Sequence, residues 1–359
     1  MIFSIKSVDH AAGTLVFRCN ICGSHNAVLA AGLGREVPSC TKCGSTVRMR
    51  GMIHALSVAL FNRSLAIPDF PRNKEIRGKG MSDWDGYAIP LSEKLSYINT
   101  YYHKPPRLDI TAISPEDIGC VDFLMSTDVF EHVAPPVSRA FENARSMLRK
   151  NGAFIFSVPY ALIGPTVEHF PNLHEYSIER RAEGSVLVNR TAAGTVEEFR
   201  DLIFHGGEGE TLEVRVFSKD GLIDDLKRAG FSDVRILSEP CFEHGVYWPH
   251  LWSLPLIARV EPPIVEVVDW GPVASSRSKP ANQQPDGRSA IWIKTANHVG
   301  SEKPVVRVGE LIADGIVACD QLVTALIPSQ VLRAAGRYPV VLEATGFSPV
   351  YVGDLNVYD

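Results

Sequence analysis

The chain has 359 residues, 45% hydrophobic and 21% charged, which is ordinary globular composition with material for two or three domains. A formal net charge of −5 argues against a polyanion binder, because nucleic-acid proteins carry a basic surplus. No stretch approaches the ~20 apolar residues of a membrane span, and Lys6, Asp9 and His10 interrupt the N-terminus before a signal core could form.

Residues 1–45 read as two short β-hairpins built around two CxxC pairs, with Gly23 and Gly44 directly after them as tight knuckle turns require. A helix is expected from Val47 to Phe61, with Met49, Met52, Ile53, Leu56 and Leu60 along one face. Residues 1–62 thus form a ribbon plus helix, and the polar, proline-bearing stretch 62–74 reads as a linker or domain entry. The basic clusters Arg48-Met49-Arg50 and Arg72 to Lys79 read as solvated faces.

From 63 to 261 short apolar runs alternate with helical patterns, the signature of an α/β fold with a doubly wound, Rossmann-like sheet. Val121 to Met125 is a strand that stops at Ser126-Thr127-Asp128. After Pro135-Pro136 comes a helix with Val137, Ala140, Phe141, Ala144, Met147 and Leu148 at 3, 4 and 7 spacing, ended by Asn151-Gly152. Ala153 to Val158 is a wholly apolar strand, as in a sheet covered on both faces. A helix capped by Ser218 follows from Lys219 to Ala229, and then strands at Val234 to Leu237 and Leu254 to Val260. Beyond Pro262-Pro263, residues 262–359 are short β-rich runs between Gly, Pro and Asn turns, with one helical stretch from Ser329 to Ala335. This is the pattern of an antiparallel sandwich.

Cys19, Cys22, Cys40 and Cys43 have the spacing at which four thiolates close a tetrahedral shell around Zn²⁺. Such a site has no open position, so its role is structural. Without a signal peptide this usage favours metal over disulfides and a cytoplasmic location. Cys120, Cys241 and Cys319 read as packing residues.

The candidate turn for a nucleotide-type cofactor is Gly78-Lys79-Gly80-Met81-Ser82-Asp83, expected just after a first strand. Asp109 ends the next segment, and Ser126 to Val133 (STDVFEHV) opens the loop after the following strand. With ENARSMLRKNGAFIFSVP behind it, this run resembles the post-cofactor strand, helix and fifth strand of class I S-adenosylmethionine-dependent methyltransferases. The match is specific over 121–160 and looser over 75–260. The ribbon resembles that of a bacterial subgroup tied to glycan or cell-surface biosynthesis, and the trailing module resembles immunoglobulin-like modules beside surface-glycan enzymes.

The resemblance implies roles. Gly78 and Gly80 would approach the methionine and ribose part of S-adenosylmethionine, Asp109 would bind near the adenine amino group, and Ser126, Thr127 and Asp128 would line the cofactor. Glu131 and His132 would face the pocket. The sequence lacks the third glycine of the usual first motif and the acidic residue that grips the ribose. Asn99, or Ser82 with Asp83, would take that contact, or else cofactor binding is weakened or lost.

For a hydroxyl acceptor a base assists, and His169 is the expected one, with Glu168, His174 and His205 as partners or substrate contacts. A second metal held by His169, His174 and His205 is the lesser reading. The chain is therefore read as a methyltransferase acting on a sugar or glycan hydroxyl, with nucleic acid disfavoured and self-association expected through the sandwich, where Trp292 is core or sugar platform. Its rivals are a protein or RNA methyltransferase, marked by a basic face at Arg48, Arg50 and Arg72, and a non-catalytic scaffold with a degenerate pocket.

Overall fold

In the computed structural model, residues 8–9, 13–205, 211–261, 264–299, 304–344 and 347–359 are described. The expected boundary at Pro262-Pro263 and residues 206–210, next to the expected site residue His205, lie outside them. The chain divides into two compact units, one of residues up to 56 with 65–261, the other of 57–64 with the residues from 262 on. No helix among the described residues is long and apolar enough to cross a membrane.

The first unit begins with a hairpin, Thr14–Arg18 against His25–Leu29, whose turn carries Cys19 and Cys22. The second cysteine pair has no strands of its own. Its chain is folded by Ser39 N and Cys40 N donating to Ser45 O and by Gly44 N donating to Cys40 O at 2.9 Å, so one hairpin and one turn replace the two hairpins expected. Gly23 and Gly44 sit at φ 76° and 72°, where a side chain would strain the backbone.

Helix α1 (Val47–Phe61) follows at the expected bounds. Its Val47, Arg50, Met52, Ile53, Ala55, Leu56 and Ser57 are all buried, so the helix is covered nearly all round and not only along its apolar stripe. Arg50 is buried too, under Phe17 at 4.7 Å, and donates to Ser45 O, Ser39 Oγ and Gly245 O at 2.7–2.9 Å. The Arg48–Arg50 cluster is thus an internal brace rather than a solvated face.

The main sheet has six strands: β1 (Asn73–Met81), β2 (Leu95–Thr100), β3 (Val121–Thr127), β4 (Leu148–Ser157), β5 (Asp233–Ile236) and β6 (Leu256–Arg259). Their order is β5-β6-β4-β3-β1-β2. The four strands β1 to β4 pair in parallel, while β6 runs antiparallel to both neighbours. Helices α2 (Asp85–Lys94), α3 (Ser138–Met147) and α4 (Lys219–Arg228) complete the layers, the last capped by Ser218 Oγ accepting from Gly221 N at 3.1 Å.

Two details of the sheet differ from expectation. Gly78 and Gly80 lie inside β1 and not in a turn after it. A Cβ on Gly78 would collide with the Phe123 ring, and one on Gly80 with the Tyr97 hydroxyl and the Asp83 carboxylate. These glycines make room for neighbouring side chains across the sheet. Strand β4 begins at Leu148, not Ala153, because a bulge lets Val121 keep pairing with Leu148 across Asn151-Gly152. The core beneath β3 and β4 is aromatic: Phe130 and Phe141 lie 4.8 Å apart, and Phe154 and Phe156 stack at 4.6 Å.

Between β4 and α4 the chain makes a mostly β excursion, with strands Glu175–Arg181, Gly184–Arg190 and Val196–Phe199 in one small sheet. Its own core of Phe170, Leu173, Leu187, Leu212 and Val214 holds it together.

In the second unit, strands Val267–Gly271, Ala290–Thr295, Leu322–Leu326 and Asp314–Cys319 form one sheet. Ala274–Ser276, Val350–Tyr358, Gly336–Glu343, Val305–Val308 and Leu311–Ile312 form another. Ile291, Ile293 and Val323 from the first share one core with Val306, Val340 and Leu355 from the second. The expected helix at Ser329–Ala335 is only a 3₁₀ turn at Val331–Arg333, too short a run to propagate.

Candidate active site

The chain leaves β1 toward β2 on one side and returns as β3 on the other, so the sheet reverses its winding between β1 and β3. Open α/β sheets take ligands at the carboxyl ends of the strands at such a reversal. Both carboxyl ends are marked by non-glycine residues in left-handed backbone, Ser82 at φ 57° and Asp128 at φ 52°, a conformation kept where surrounding structure imposes it.

On the β1 side Asp83 is buried, and its carboxylate accepts from the Tyr97 hydroxyl and, at 2.7 Å, from the Tyr87 hydroxyl. Burial pushes its pKa up to about 6 while the hydroxyl donors oppose the rise. Thr127 Oγ1 lies 3.3 Å from the Tyr87 hydroxyl. Asn99 accepts from Asp83 N at 2.9 Å and donates to Asp83 O at 2.7 Å, so its amide staples the Ser82–Asp83 turn. That use leaves little of Asn99 for a ribose hydroxyl. Ser82 is exposed at the rim, Ser126 is buried with its hydroxyl unpartnered, and Asp109 Oδ1 accepts from Thr111 N at 2.9 Å.

On the β3 side Asp128 is clamped from far along the chain. One guanidinium nitrogen of Arg35 reaches both its oxygens at 2.8 Å, and Ser157 Oγ donates to it at 3.0 Å. The same nitrogen donates to Ser253 Oγ at 2.5 Å, and the Arg35 guanidinium lies 5.5 Å from the Trp252 ring centre. Arg35 is thereby one wall of a cavity of about 450 Å³ lined also by Leu33, Tyr247, Trp248, His250 and Trp252.

Directly after Asp128, the 3₁₀ turn Phe130–His132 presents Glu131 and His132 to the β excursion. Fully buried Arg215 fixes that turn, donating to Phe130 O at 2.8 Å and Val133 O at 2.5 Å while its other nitrogens grip Glu168 at 2.6 and 3.1 Å. Glu168 is therefore a structural counterion and not the partner of a base. Glu213 joins two of the expected histidines: His169 Nε2 is 3.0 Å from its Oε1 and His205 Nε2 is 3.1 Å from its Oε2. His132 stands edge-on to His205 at 4.8 Å, and burial lowers its pKa. Glu131 is 1% exposed, and burial, then the charge of Asp128, pushes its pKa up to about 8. His174 is exposed at the head of the first excursion strand, away from this group, so the trio His169, His174 and His205 does not converge as a metal site.

Glu213 and Arg35 carry no local sequence signal. The contacts that bring them to the site, Glu213 to His169 and Arg35 to Asp128, span 44 and 93 residues.

The four cysteines converge as their spacing requires. Cys19 and Cys43 Sγ are 3.7 Å apart and Cys22 and Cys40 Sγ 3.6 Å. Thiolates at about 2.3 Å from a tetrahedral ion stand roughly 3.8 Å from each other, so the shell fits Zn²⁺.

No protein-family model and no curated protein matches the chain. Among solved structures it is similar to a 1,6-didemethyltoxoflavin-N1-methyltransferase of Burkholderia thailandensis with bound S-adenosylhomocysteine. The identity is 14% over 58% of this chain and 77% of that one, with a TM-score of 0.32. It is similar also to an S-adenosylmethionine-dependent methyltransferase of Mesorhizobium loti, 15% identical over 53% of this chain and 93% of that one, with a TM-score of 0.33. A putative S-adenosylmethionine-dependent methyltransferase of Listeria monocytogenes is 14% identical over 58% and 97%, again with a TM-score of 0.33. At these scores any functional reading rests on the residues of this chain.

Proposed function

We propose that the chain is an S-adenosylmethionine-dependent methyltransferase of the class I type, built around a structural zinc, that methylates a hydroxyl of a sugar or glycan intermediate. The observation that carries the reading is the position of the methyltransferase-like run Ser126–Val133. It leaves the carboxyl end of β3 at the winding reversal, where a doubly wound sheet takes a nucleotide-type cofactor. Ser82, Asp83, Asp109, Thr127 and Asp128 would hold the cofactor there. Gly78 and Gly80 act behind them as packing positions, and Asn99 as the staple of the turn.

When bound, S-adenosylmethionine supplies a methyl group on a sulfonium for in-line displacement. The chain's task is to align the acceptor and take its proton. His169 is the base, its ring oriented by Glu213 through Nε2, which leaves Nδ1 to receive the proton. The aromatic walls Tyr247, Trp248 and Trp252, with Arg35 and His250 as polar groups, suit stacking on a sugar ring and hydrogen bonding to its hydroxyls. Exposed Val268, Ile312, Val317 and Tyr351 support self-association of the second unit. The cluster of reduced cysteines supports a cytoplasmic setting. Burial of Arg50 removes one cation from the basic face that an RNA or protein substrate would need. The scaffold reading draws on Asn99 and Asp128, both already engaged within the chain.

Calorimetric titration with S-adenosylmethionine and S-adenosylhomocysteine decides between enzyme and scaffold. Micromolar binding that Asp109→Ala weakens at least about tenfold, a loss of roughly 1.4 kcal/mol, supports the enzyme. Absence of binding by a folded, metal-loaded chain sinks it.

A further inference from the structure

Three side chains beside the crevice point lone pairs at one another. His132 Nδ1 is 2.8 Å from Leu212 O, and a carbonyl only accepts, so that nitrogen carries the proton and Nε2 is a bare lone pair. Nε2 faces Glu131 Oε1 at 3.8 Å. His205 is set the same way: its Nε2 donates to the Glu213 carboxylate at 3.1 Å, leaving Nδ1 bare toward Glu131 Oε1 at 3.9 Å. Glu131 is 1% exposed, and neither of its carboxylate oxygens has a hydrogen-bond partner. One donor atom from each of the three residues lies within 4.8 Å of the others.

Two bare imidazole nitrogens converging on a buried, unpartnered carboxylate repel unless a proton or a metal cation sits among them, and a buried carboxylate without a partner costs several kcal/mol. We infer that Glu131, His132 and His205 form a second metal site, distinct from the cysteine shell, for a divalent ion of the zinc or iron kind. Two histidines and one carboxylate are the donor set such ions take with positions left open. The outer nitrogens of both histidines already hold the carbonyl or carboxylate partner that metal-bound imidazoles keep. Donors about 2.0–2.2 Å from a tetrahedral ion stand roughly 3.4 Å apart, so each histidine nitrogen must close on the Glu131 oxygen by roughly half an ångström and the two nitrogens on each other by up to about 1.4 Å. Glu213 is a positioning residue, and the open coordination positions would accept an oxygen ligand such as a hydroxyl. The inference does not depend on methyl transfer, because it is read out by metal content.

The test uses the full-length chain, stripped of metal and titrated with cobalt(II), with ions counted per chain by mass spectrometry and their ligands read from the absorption spectrum. The wild type is expected to take two ions, one showing thiolate-to-cobalt charge transfer and one showing only the weak bands of nitrogen and oxygen ligands. Glu131→Gln and His205→Ala should each keep the thiolate-bound ion, which reports a folded chain, and lose the other. Glu213→Gln should keep both ions, with the second bound about 10–100-fold more weakly. One ion per chain in the wild type overturns the inference. So do two ions that persist in both Glu131→Gln and His205→Ala, since the second ion is then held elsewhere; a single ion in the wild type is the result expected if a proton on Glu131 is what relieves the repulsion.

Discussion

Asp83 is the residue whose surroundings speak most directly to pH. Its pKa in the folded chain, about 6, lies above the unfolded value near 4. Between those values the folded state therefore binds more protons than the unfolded one. Stability should fall as pH rises through that window, by about 3 kcal/mol in all, and then level off. Asp83→Asn should flatten this part of a stability–pH curve measured by urea unfolding; an unchanged slope would mean the carboxyl is not the source. Gly80→Ala tests a different claim. If the glycine serves packing, a methyl group pressed against the Tyr97 hydroxyl and Asp83 should destabilise by about 1–3 kcal/mol with or without cofactor present. Arg50→Met should cost about 3 kcal/mol or more, since it leaves Gly245 O buried without a donor and removes the bonds to Ser45 O and Ser39 Oγ. Thermal melts check both substitutions.

Among the elements, legibility in the sequence followed the range of the forces involved. α1, α3, α4 and the strands β3 to β6 announce themselves because apolar periodicity and capping residues such as Ser218 are local. The knuckles are legible for a similar reason: CxxC followed by glycine is a complete local prescription for the turn. The extent of β1 was not legible, because what allows Gly78 and Gly80 to be strand residues is Phe123 and Tyr97 arriving from other strands. The same holds at the site. His169 and His205 were visible as histidines near carboxylates, but their joining by Glu213 and the diversion of Glu168 to Arg215 depend on how the β excursion folds back over Phe130–His132. The knuckle also carries an element-scale prediction. Chelating its ion should destabilise the hairpin and the start of α1 by several kcal/mol, seen as loss of hydrogen-exchange protection around residues 14–56.

Across the whole molecule, the two units have separate hydrophobic cores, one centred on Phe130, Phe141, Phe154 and Phe156, the other on Ile291, Val306, Val340 and Leu355. Separate cores predict that calorimetric unfolding departs from a single two-state transition, with calorimetric and van't Hoff enthalpies unequal. Removing metal should lower the transition of the unit that holds the cysteines and leave the other in place. One transition with matching enthalpies would show that the units unfold together.

Arg35 sits five residues before Cys40, the first cysteine of the second pair, and its guanidinium is fastened to Asp128 at the mouth of the crevice. A zinc ion held by the knuckle and a ligand held at Asp128 would therefore belong to one thermodynamic cycle. By whatever factor the ion tightens that ligand, the ligand tightens the ion, because binding free energies around a closed cycle must agree. If that coupling is favourable, metal-depleted chain would hold the crevice ligand more weakly, and saturating ligand would raise the affinity for the metal by the same factor.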